Sequence, residues 1–303
     1  MAAKLSESAG GLNEVDPPAL PLFALSFSRY PGQRECWEGA GRIAELCSDN
    51  PALLQELDSR NVSLLVNGFS KWPNLPGCGQ GTFAVASEVL RRADMDGLFE
   101  FNQQDLNNLV NGFSKWPEQQ KTREATVAIA GEIVARASKL NRFTNQHLAI
   151  LVNGFSKWPE QAECRRAVAA VGTEVTHRVR RDHRLSDFDP QDVANLVNGF
   201  SKWPEQQKAR EATVAIAGDV VARAGELNRF THQGLANLVN GFSKWPEQAE
   251  CRRAVAAVGT EVTHRVRREH RLSDFDPQDV ANLVNGFSKW PEQQKAREAT
   301  VAI

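Results

Sequence analysis

Three observations predict an all-α protein built as an α-solenoid of about seven two-helix repeats of 42–45 residues. The heptapeptide Asn-Gly-Phe-Ser-Lys-Trp-Pro starts at residues 67, 111, 153, 198, 240 and 285, so its copies lie 44, 42, 45, 42 and 45 residues apart. A period of this length is typical of stacked helical pairs. Each copy also ends a segment with helical hydrophobic periodicity and precedes an alanine-rich segment. We name these two predicted helices of each repeat helix A and helix B.

The repeat defines the organisation of the chain. A weaker copy of the heptapeptide at Ser26–Pro31 adds a degenerate first repeat, residues 22–57, to an array covering residues 22–303. Residues 1–21 are small, polar and punctuated by Pro and Gly, which predicts a flexible leader. The chain stops inside the expected last helix B. We interpret the last repeat as truncated and the chain as either a fragment of a longer array or the product of a truncated gene.

Charge and hydropathy narrow the choice of partners. The formal net charge is −1, so overall charge predicts neither a nucleic-acid nor a membrane partner, and any such attraction requires a local patch. No apolar stretch is long enough to span a bilayer. Residues 1–11 lack a hydrophobic segment after Lys4, so we expect no secretory signal peptide.

Each helix A is predicted to begin at a strong N-cap. In one repeat, Asp189 can accept a hydrogen bond from a free backbone N–H, and Pro190 suits the first helical position. Phe188 and Val193 have the spacing of a hydrophobic contact across that cap. The cap position holds a suitable residue in all six full repeats: Asp58, Asn102, Thr144, Asp189, Thr231 and Asp276.

The sequence also predicts where helix A ends and helix B begins. Trp203 precedes Pro204, which disfavours the α conformation, so helix A is expected to end there. Pro204 is predicted to be the first residue of helix B, which runs from about Glu205 to Ala224. Glycines recur inside both helices, and Gly199 predicts another helix too close for a side chain. We expect these small residues to serve packing within a helical pair.

No residue pattern indicates catalysis. Among the five cysteines no Cys-x-x-Cys pair occurs, and Cys164 and Cys251 occupy one repeat position, which favours buried helical residues over a ligand or redox role. The chain has no histidine cluster at metal spacing, no phosphate-binding glycine loop and no nucleophile motif. Ser201 recurs in every full repeat and is therefore not a unique nucleophile. We expect no enzymatic activity, no metal and no cofactor.

A polar stripe on helix A is the first candidate for binding. Gln191, Asn195, Asn198 and Lys202 follow each other at spacings of 4, 3 and 4 residues and therefore share one helical face. Asparagine offers both a donor and an acceptor, so a row of these amides can grip a peptide backbone or nucleobase edges, or can hold neighbouring repeats together. The predicted ladder has one residue per repeat: Asn67, Asn111, Asn153, Asn198, Asn240 and Asn285.

One position of the stripe varies between repeats. Variation on a fixed scaffold is what a side-chain-by-side-chain reader needs, and it is also what an unconstrained surface shows. These variable reading positions are Leu64, Asn108, Ile150, Asn195, Asn237 and Asn282. The Trp of each heptapeptide has two interpretations as well, either an exposed surface that stacks bases or a plug between helices.

A basic run at the end of helix B is a further candidate. Residues 177–184 and 264–271 are rich in Arg and His and are either a solvated helix end that complements the helix dipole or a surface for phosphates or acidic peptide. The arginines of this predicted basic patch are Arg178, Arg180, Arg181, Arg265, Arg267 and Arg268.

The repeated Ser-Lys-Trp-Pro tetrapeptide, within Leu-Val-Asn-Gly-Phe-Ser-Lys-Trp-Pro at a period near 42, resembles the SKWP-repeat effectors of plant-pathogenic bacteria over about residues 22–303. This resemblance implies a HEAT/armadillo-like array and delivery into the host cell by type III secretion. The segment Phe188–Leu196 also resembles the first helix of octotricopeptide repeats, which are associated with RNA binding. We therefore expect a noncatalytic effector scaffold that binds a host protein or peptide on its helix-A surface. The alternatives are a sequence-reading RNA-binding protein and a structural spacer of a larger effector.

Overall fold

The fold is all-helical. The computed structural model describes residues 16–182, 188–269 and 275–303, while the side chains of residues 182, 268 and 269 lie outside that description. Every secondary-structure element of the described residues is a helix, and none is a strand, which confirms the predicted fold class at this level. The chain divides into two compact units, residues 1–136 and 137–303.

The first unit alternates short and long helices. Its described residues form α1 (Leu20–Phe27), α2 (Arg34–Asp49), α3 (Ala52–Gln55), α4 (Ser59–Phe69), α5 (Pro76–Met95), α6 (Gln103–Phe113) and α7 (Gln120–Ala135), after a 3-10 turn at Pro17–Ala19. Leu20 and Pro21, which we predicted to belong to the leader, lie in α1 and are buried. The leader prediction for residues 1–15 lies outside the described residues.

The second unit repeats the same alternation. It contains, among its described residues, α8 (Asn145–Phe155), α9 (Ala162–Asp182), α10 (Pro190–Phe200), α11 (Gln207–Ala222), α12 (His232–Phe242), α13 (Ala249–Glu269), α14 (Pro277–Phe287) and α15 (Gln294–Ala302). The segments that lead from helix B to the next helix A contain 3-10 helices at Ala137–Arg142 and Ala224–Arg229. Helices α4, α6, α8, α10, α12 and α14 are the helices A of the full repeats, and each is 11 residues long.

All six predicted N-caps are confirmed. Each cap side chain accepts a hydrogen bond from a backbone N–H in the first turn of its helix A, for example Asp58 from Asn61 at 2.7 Å and Thr231 from Gly234 at 3.0 Å. Asn102 and Asp105 form a reciprocal capping box. A side-chain cap of this kind contributes about 1 kcal/mol, so every full repeat begins helix A from its own local sequence.

The start of helix B differs from the prediction. Helix A ends at Phe200, and the backbone N–H of Gln206 donates to the carbonyl oxygen of Trp203 at 3.0 Å, which closes a turn. Pro204 is the second residue of this turn, a position that its fixed φ also suits. Helix B therefore begins at Gln207, with Gln206 as its N-cap.

Close packing joins like helices of adjoining repeats. A Cβ added to Gly199 would lie 2.7 Å from Cγ1 of Val152 in the preceding helix A, which confirms the predicted close approach. On helix B, a Cβ at Gly172 would lie 2.7 Å from the carbonyl oxygen of Lys208 in the next helix B. The glycines thus serve contacts between repeats, and our expectation of packing within a pair is wrong at these positions.

Candidate binding surface on helix A

The polar stripe of helix A lies opposite the core. In α10, Leu196, Val197 and Phe200 are fully buried. On the other face, Gln191 and Lys202 are exposed, and the two asparagines between them are half-buried. The amide of Gln191 donates to Oδ1 of Asn195 at 3.0 Å, and the same pair recurs in α14 between Gln278 and Asn282 at 3.2 Å. The stripe is therefore a polar surface with locally ordered amides.

Asn153 holds two repeats together. Its side-chain Nδ2 donates to the main-chain oxygen of Asn195 in the next helix A at 2.7 Å, and to that of Ala149 in its own helix at 3.0 Å. Its Oδ1 accepts from Nδ2 of Asn198 at 3.5 Å. At this position the side-chain amide stabilises the packing of neighbouring repeats.

The side chains of the other asparagines of the predicted ladder form fewer hydrogen bonds. Asn285 is exposed, and its Oδ1 accepts from Nζ of Lys289 at 3.3 Å. Asn67, Asn111 and Asn240 are half-buried, and their side-chain amides have no hydrogen-bond partner among the described residues. Each ladder residue also accepts, through its main-chain oxygen, a hydrogen bond from the serine three residues later. The ladder therefore combines a structural amide at Asn153 with three amides, at Asn67, Asn111 and Asn240, that have no partner among the described residues.

The variable reading positions are not equivalent. Asn108 is 9% exposed, its Oδ1 accepts from Gln104 at 2.9 Å, and its Nδ2 donates to Ser63 of the preceding helix A at 3.4 Å. It is therefore a packing residue. The remaining members of the set are half-buried: Leu64, Ile150, Asn195, Asn237 and Asn282.

The heptapeptide tryptophans plug the junctions between repeats. Trp158, Trp203, Trp245 and Trp290 are 2–4% exposed. The indole N–H of Trp245 donates to the carbonyl oxygen of Pro204 in the preceding repeat at 3.3 Å. In the first unit, Trp116 and Trp72 make the same bond to Pro73 and Pro31 at 3.1 and 3.0 Å. These rings are not a stacking surface for bases.

The heptapeptide lysines form a row of like charges. In the second unit, Lys157, Lys202, Lys244 and Lys289 are exposed, one in each repeat. Partial burial lowers the pKa of Lys202 below its ordinary value, and the positive charges of Lys244 and Lys157 lower it further. Like charges of the neighbouring repeats therefore act on Lys202, and this row was not predicted from the sequence.

Two arginines of the predicted basic patch are structural. In α9, Arg178 pairs with Glu174 at 2.7 Å and donates to the main-chain oxygens of Leu140 and Phe143 at 2.8 and 2.9 Å. The two carbonyls belong to the segment that leads into helix A of the same repeat. Arg265 repeats the pattern with Glu261 at 2.6 Å and Leu227 at 2.9 Å. These guanidinium groups are therefore committed to backbone carbonyls.

The first unit contains the same arginine clamp. Arg92 donates to the main-chain oxygens of Leu54 and Leu57, at 2.9 and 2.7 Å. Arg136 donates to those of Phe101 and Leu98, at 2.7 and 2.8 Å. This role was not predicted from the sequence, although an acidic residue four positions before each arginine marks it.

The remaining arginines of the patch point to solvent. Arg180, Arg181 and Arg267 are exposed, and none forms an ion pair with a described residue. Arg180 and Arg181 line an open groove together with Lys208 and Glu211 of α11, which form an ion pair with each other at 2.8 Å. The side chain of Arg268 and residues 183–187 and 270–274 of the two basic runs lie outside the described residues.

The cysteines belong to the core, as predicted. All five are buried, and burial raises the pKa of the Cys47, Cys78, Cys164 and Cys251 thiols to about 12. The part of the chain that the structure describes contains no group of His, Cys, Asp and Glu side chains placed to hold a metal ion. None of its helices is long and apolar enough to cross a membrane.

Comparisons with protein-family models, with curated proteins and with solved structures find no match to this chain. The surface described above is therefore the basis for inferring a function.

Proposed function

We propose that this protein is a noncatalytic scaffold that binds an extended protein segment or peptide along the helix-A surface. One observation carries the proposal: the heptapeptide Asn and Lys recur in successive repeats as exposed or half-buried side chains on the helix-A surface, next to exposed glutamines such as Gln191 and Gln233, while the apolar residues of the helix are buried. A peptide backbone needs alternating donors and acceptors, and the side-chain amide supplies both.

The structure of the repeats suits this role. In the second unit, helices A of adjoining repeats pack at close range, so equivalent amides recur along one surface. Asn240 is half-buried without a hydrogen-bond partner among the described residues, so its amide can exchange water for a ligand. Solenoids commonly use such repeated surfaces for extended ligands.

We also propose the type of repeat and the biological role of the protein. We infer about seven HEAT/armadillo-like repeats from the heptapeptide period, and a secreted type III effector acting in a host cell from the resemblance of the Ser-Lys-Trp-Pro repeats. The partner is then a host protein or peptide.

Selection from a displayed library of random peptides against the full chain tests the proposal. We expect the selected peptides to lose about tenfold in affinity for a variant carrying Gln191→Ala, Gln233→Ala and Asn240→Ala, since an interaction change of about 1.4 kcal/mol is tenfold in Kd. The matched control carries Thr173→Ala, Arg210→Ala and Thr260→Ala on exposed positions of helix B. Peptides that lose affinity only for the control variant, or a selection without any binder, would contradict the proposal.

RNA binding is the second candidate, and it is favoured by the exposed Arg180 and Arg181, which form no ion pair with a described residue. Phosphate contacts make log Kd depend linearly on log salt concentration. If RNA is the ligand, the double variant Arg180→Ala and Arg181→Ala reduces that slope by about two. An unchanged slope and affinity would exclude this candidate.

A further inference from the structure

The chain contains two sets of lysines that differ in their partners. On helix B, Lys121, Lys208 and Lys295 each form an ion pair with a glutamate three residues later, at 2.9, 2.8 and 2.7 Å. The heptapeptide lysines of the second unit form no ion pair with any described residue. We call Lys157, Lys202, Lys244 and Lys289 the lysine row. Glutamates therefore neutralise the helix-B lysines, whereas the heptapeptide lysines of the second unit have no ion-pair partner among the described residues.

The lysine row concentrates positive charge although the chain as a whole carries −1. The backbone N–H of Lys202 donates to Gly199 at the last turn of α10, which holds the side chain just beyond the helix C-terminus. Lys157 and Lys244 each occupy the same place in their own repeats. Burial is the largest cause of the lowered pKa of Lys202, and the positive charges of Lys244 and Lys157 add to it. An anionic ligand would relieve the repulsion between these charges.

The spacing of the row limits the conformation of that ligand. Packed helices lie about 8–10 Å apart, and the glycine contacts between helices A place them in close packing. A polyproline II helix has about 3 residues per turn and rises about 3.1 Å per residue, so every third side chain lies on one side about 9.3 Å apart. A β-strand places same-face side chains about 6.7 Å apart, which lies below the range of about 8–10 Å for packed helices.

We propose that the lysine row binds an acidic peptide in polyproline II conformation, with a carboxylate at every third residue aligned with successive repeats. The half-buried amide of Asn240, which has no hydrogen-bond partner among the described residues, lies one helical turn before Lys244 and contacts the peptide backbone. This inference rests on the proposed function, because it names the ligand class of the same helix-A surface.

Peptide fits this surface better than nucleic acid. Binding of single-stranded nucleic acid combines cations with aromatic side chains on which bases stack. The tryptophans next to the lysine row are 2–4% exposed and fill the junctions between repeats. The stripe therefore offers charges and amides without a stacking platform.

Synthetic peptides test the ligand class with the full chain. We compare four copies of Pro-Pro-Glu, four copies of Pro-Pro-Gln, and a peptide of the first composition whose four glutamates are consecutive. Fluorescence anisotropy is expected to show that the evenly spaced acidic peptide binds about tenfold more tightly than either of the others. Equal binding of the spaced and clustered glutamates would overturn the proposed register, and tighter binding of a uridine homopolymer would overturn the choice of peptide.

The two lysine sets supply matched variants. Lys157→Gln, Lys202→Gln and Lys244→Gln are expected together to weaken the spaced peptide about tenfold, whereas Lys121→Gln, Lys208→Gln and Lys295→Gln change it by less than about twofold. Circular dichroism confirms that both variants are folded. Equal losses of affinity in the two variants would mean that peptide binding depends only on the net charge of the protein. If peptides from the random library still depend on Gln191 and Asn240 but carry no acidic register, the lysine-row inference fails while the proposed function stands.

Discussion

The side-chain amide of Asn153 donates a 2.7 Å hydrogen bond to the main-chain oxygen of Asn195, one repeat further along the chain. The bond crosses from one helix A to the next, where the helices are so close that Gly199 has no room for a Cβ. An invariant residue of the heptapeptide therefore contributes to the stack at this position, whereas the side-chain amides of Asn67, Asn111 and Asn240 have no hydrogen-bond partner among the described residues.

The first prediction separates these two roles. Asn153→Ala removes two hydrogen bonds of the side-chain amide and is expected to lower the free energy of unfolding by about 1–2 kcal/mol. Asn240→Ala removes an amide without a described partner and is expected to change it by less than about 0.5 kcal/mol. Urea unfolding followed by circular dichroism measures both. Equal destabilisation would mean that the ladder is structural throughout.

The arginine clamp gives the second prediction. Arg178 is 17% exposed and binds Glu174, Asn145 and two carbonyls before helix A, so Arg178→Ala leaves buried polar groups unpaired. We expect a loss of about 2–4 kcal/mol in the free energy of unfolding. Arg180→Ala, on the same helix but exposed, is the control and changes stability by less than about 0.5 kcal/mol. Similar midpoints for the two variants in urea would argue against the clamp.

Two glycine substitutions are predicted to have opposite signs. A Cβ at Gly241 would lie 2.2 Å from Cγ1 of Val197 and 3.0 Å from its carbonyl oxygen, so Gly241→Ala is expected to destabilise the protein by about 1–3 kcal/mol. Gly131 has no neighbouring atom within 4 Å of that position. Gly131→Ala is therefore expected to raise the melting temperature, with a gain of about 0.5–1 kcal/mol from helix propensity. A stabilising Gly241→Ala would refute the close approach of the helices.

The lowered pKa of Glu88, in the first unit, leads us to expect that the stability of the protein depends on pH. It is 5% exposed, and burial raises its pKa, but hydrogen bonds from Arg91 and Arg92 outweigh burial, so the net shift is downward. A carboxyl whose folded-state pKa lies below its unfolded-state pKa adds stability above the unfolded-state value and loses it as pH falls through the folded-state value. The unfolding midpoint should therefore drop on acidification, and Glu88→Gln should reduce this drop. An identical acid limb in the variant would show that other carboxylates are responsible.

The elements that local sequence determines were predictable, and those that depend on distant partners were not. The N-caps need only the residues of one turn, so all six were correctly placed. Pro204 suits both a helix start and a turn, and the bond between Gln206 and Trp203 decides for the turn. The bonds of Arg178 reach residues 35 and 38 positions earlier, so the arginine appeared in the sequence as part of a basic run.

In the candidate site too, local features were predictable and features that depend on distant residues were not. Helical spacing alone predicted that Asn198 and Lys202 share a polar face. The closeness of Lys157, Lys202 and Lys244 depends on the register of whole repeats, which a linear spacing of 42–45 residues does not define. Likewise, burial of Trp203 follows from packing between repeats and decides against a base-stacking role.

The most direct measurement is amide hydrogen exchange of the full chain with and without the tightest peptide selected from the random library. Binding along the helix-A surface predicts slower exchange in α10, α12 and α14, with little change in helices α11 and α13. Protection confined to α11 and α13, or no protection at saturating peptide, would contradict a ligand-binding role for the helix-A surface.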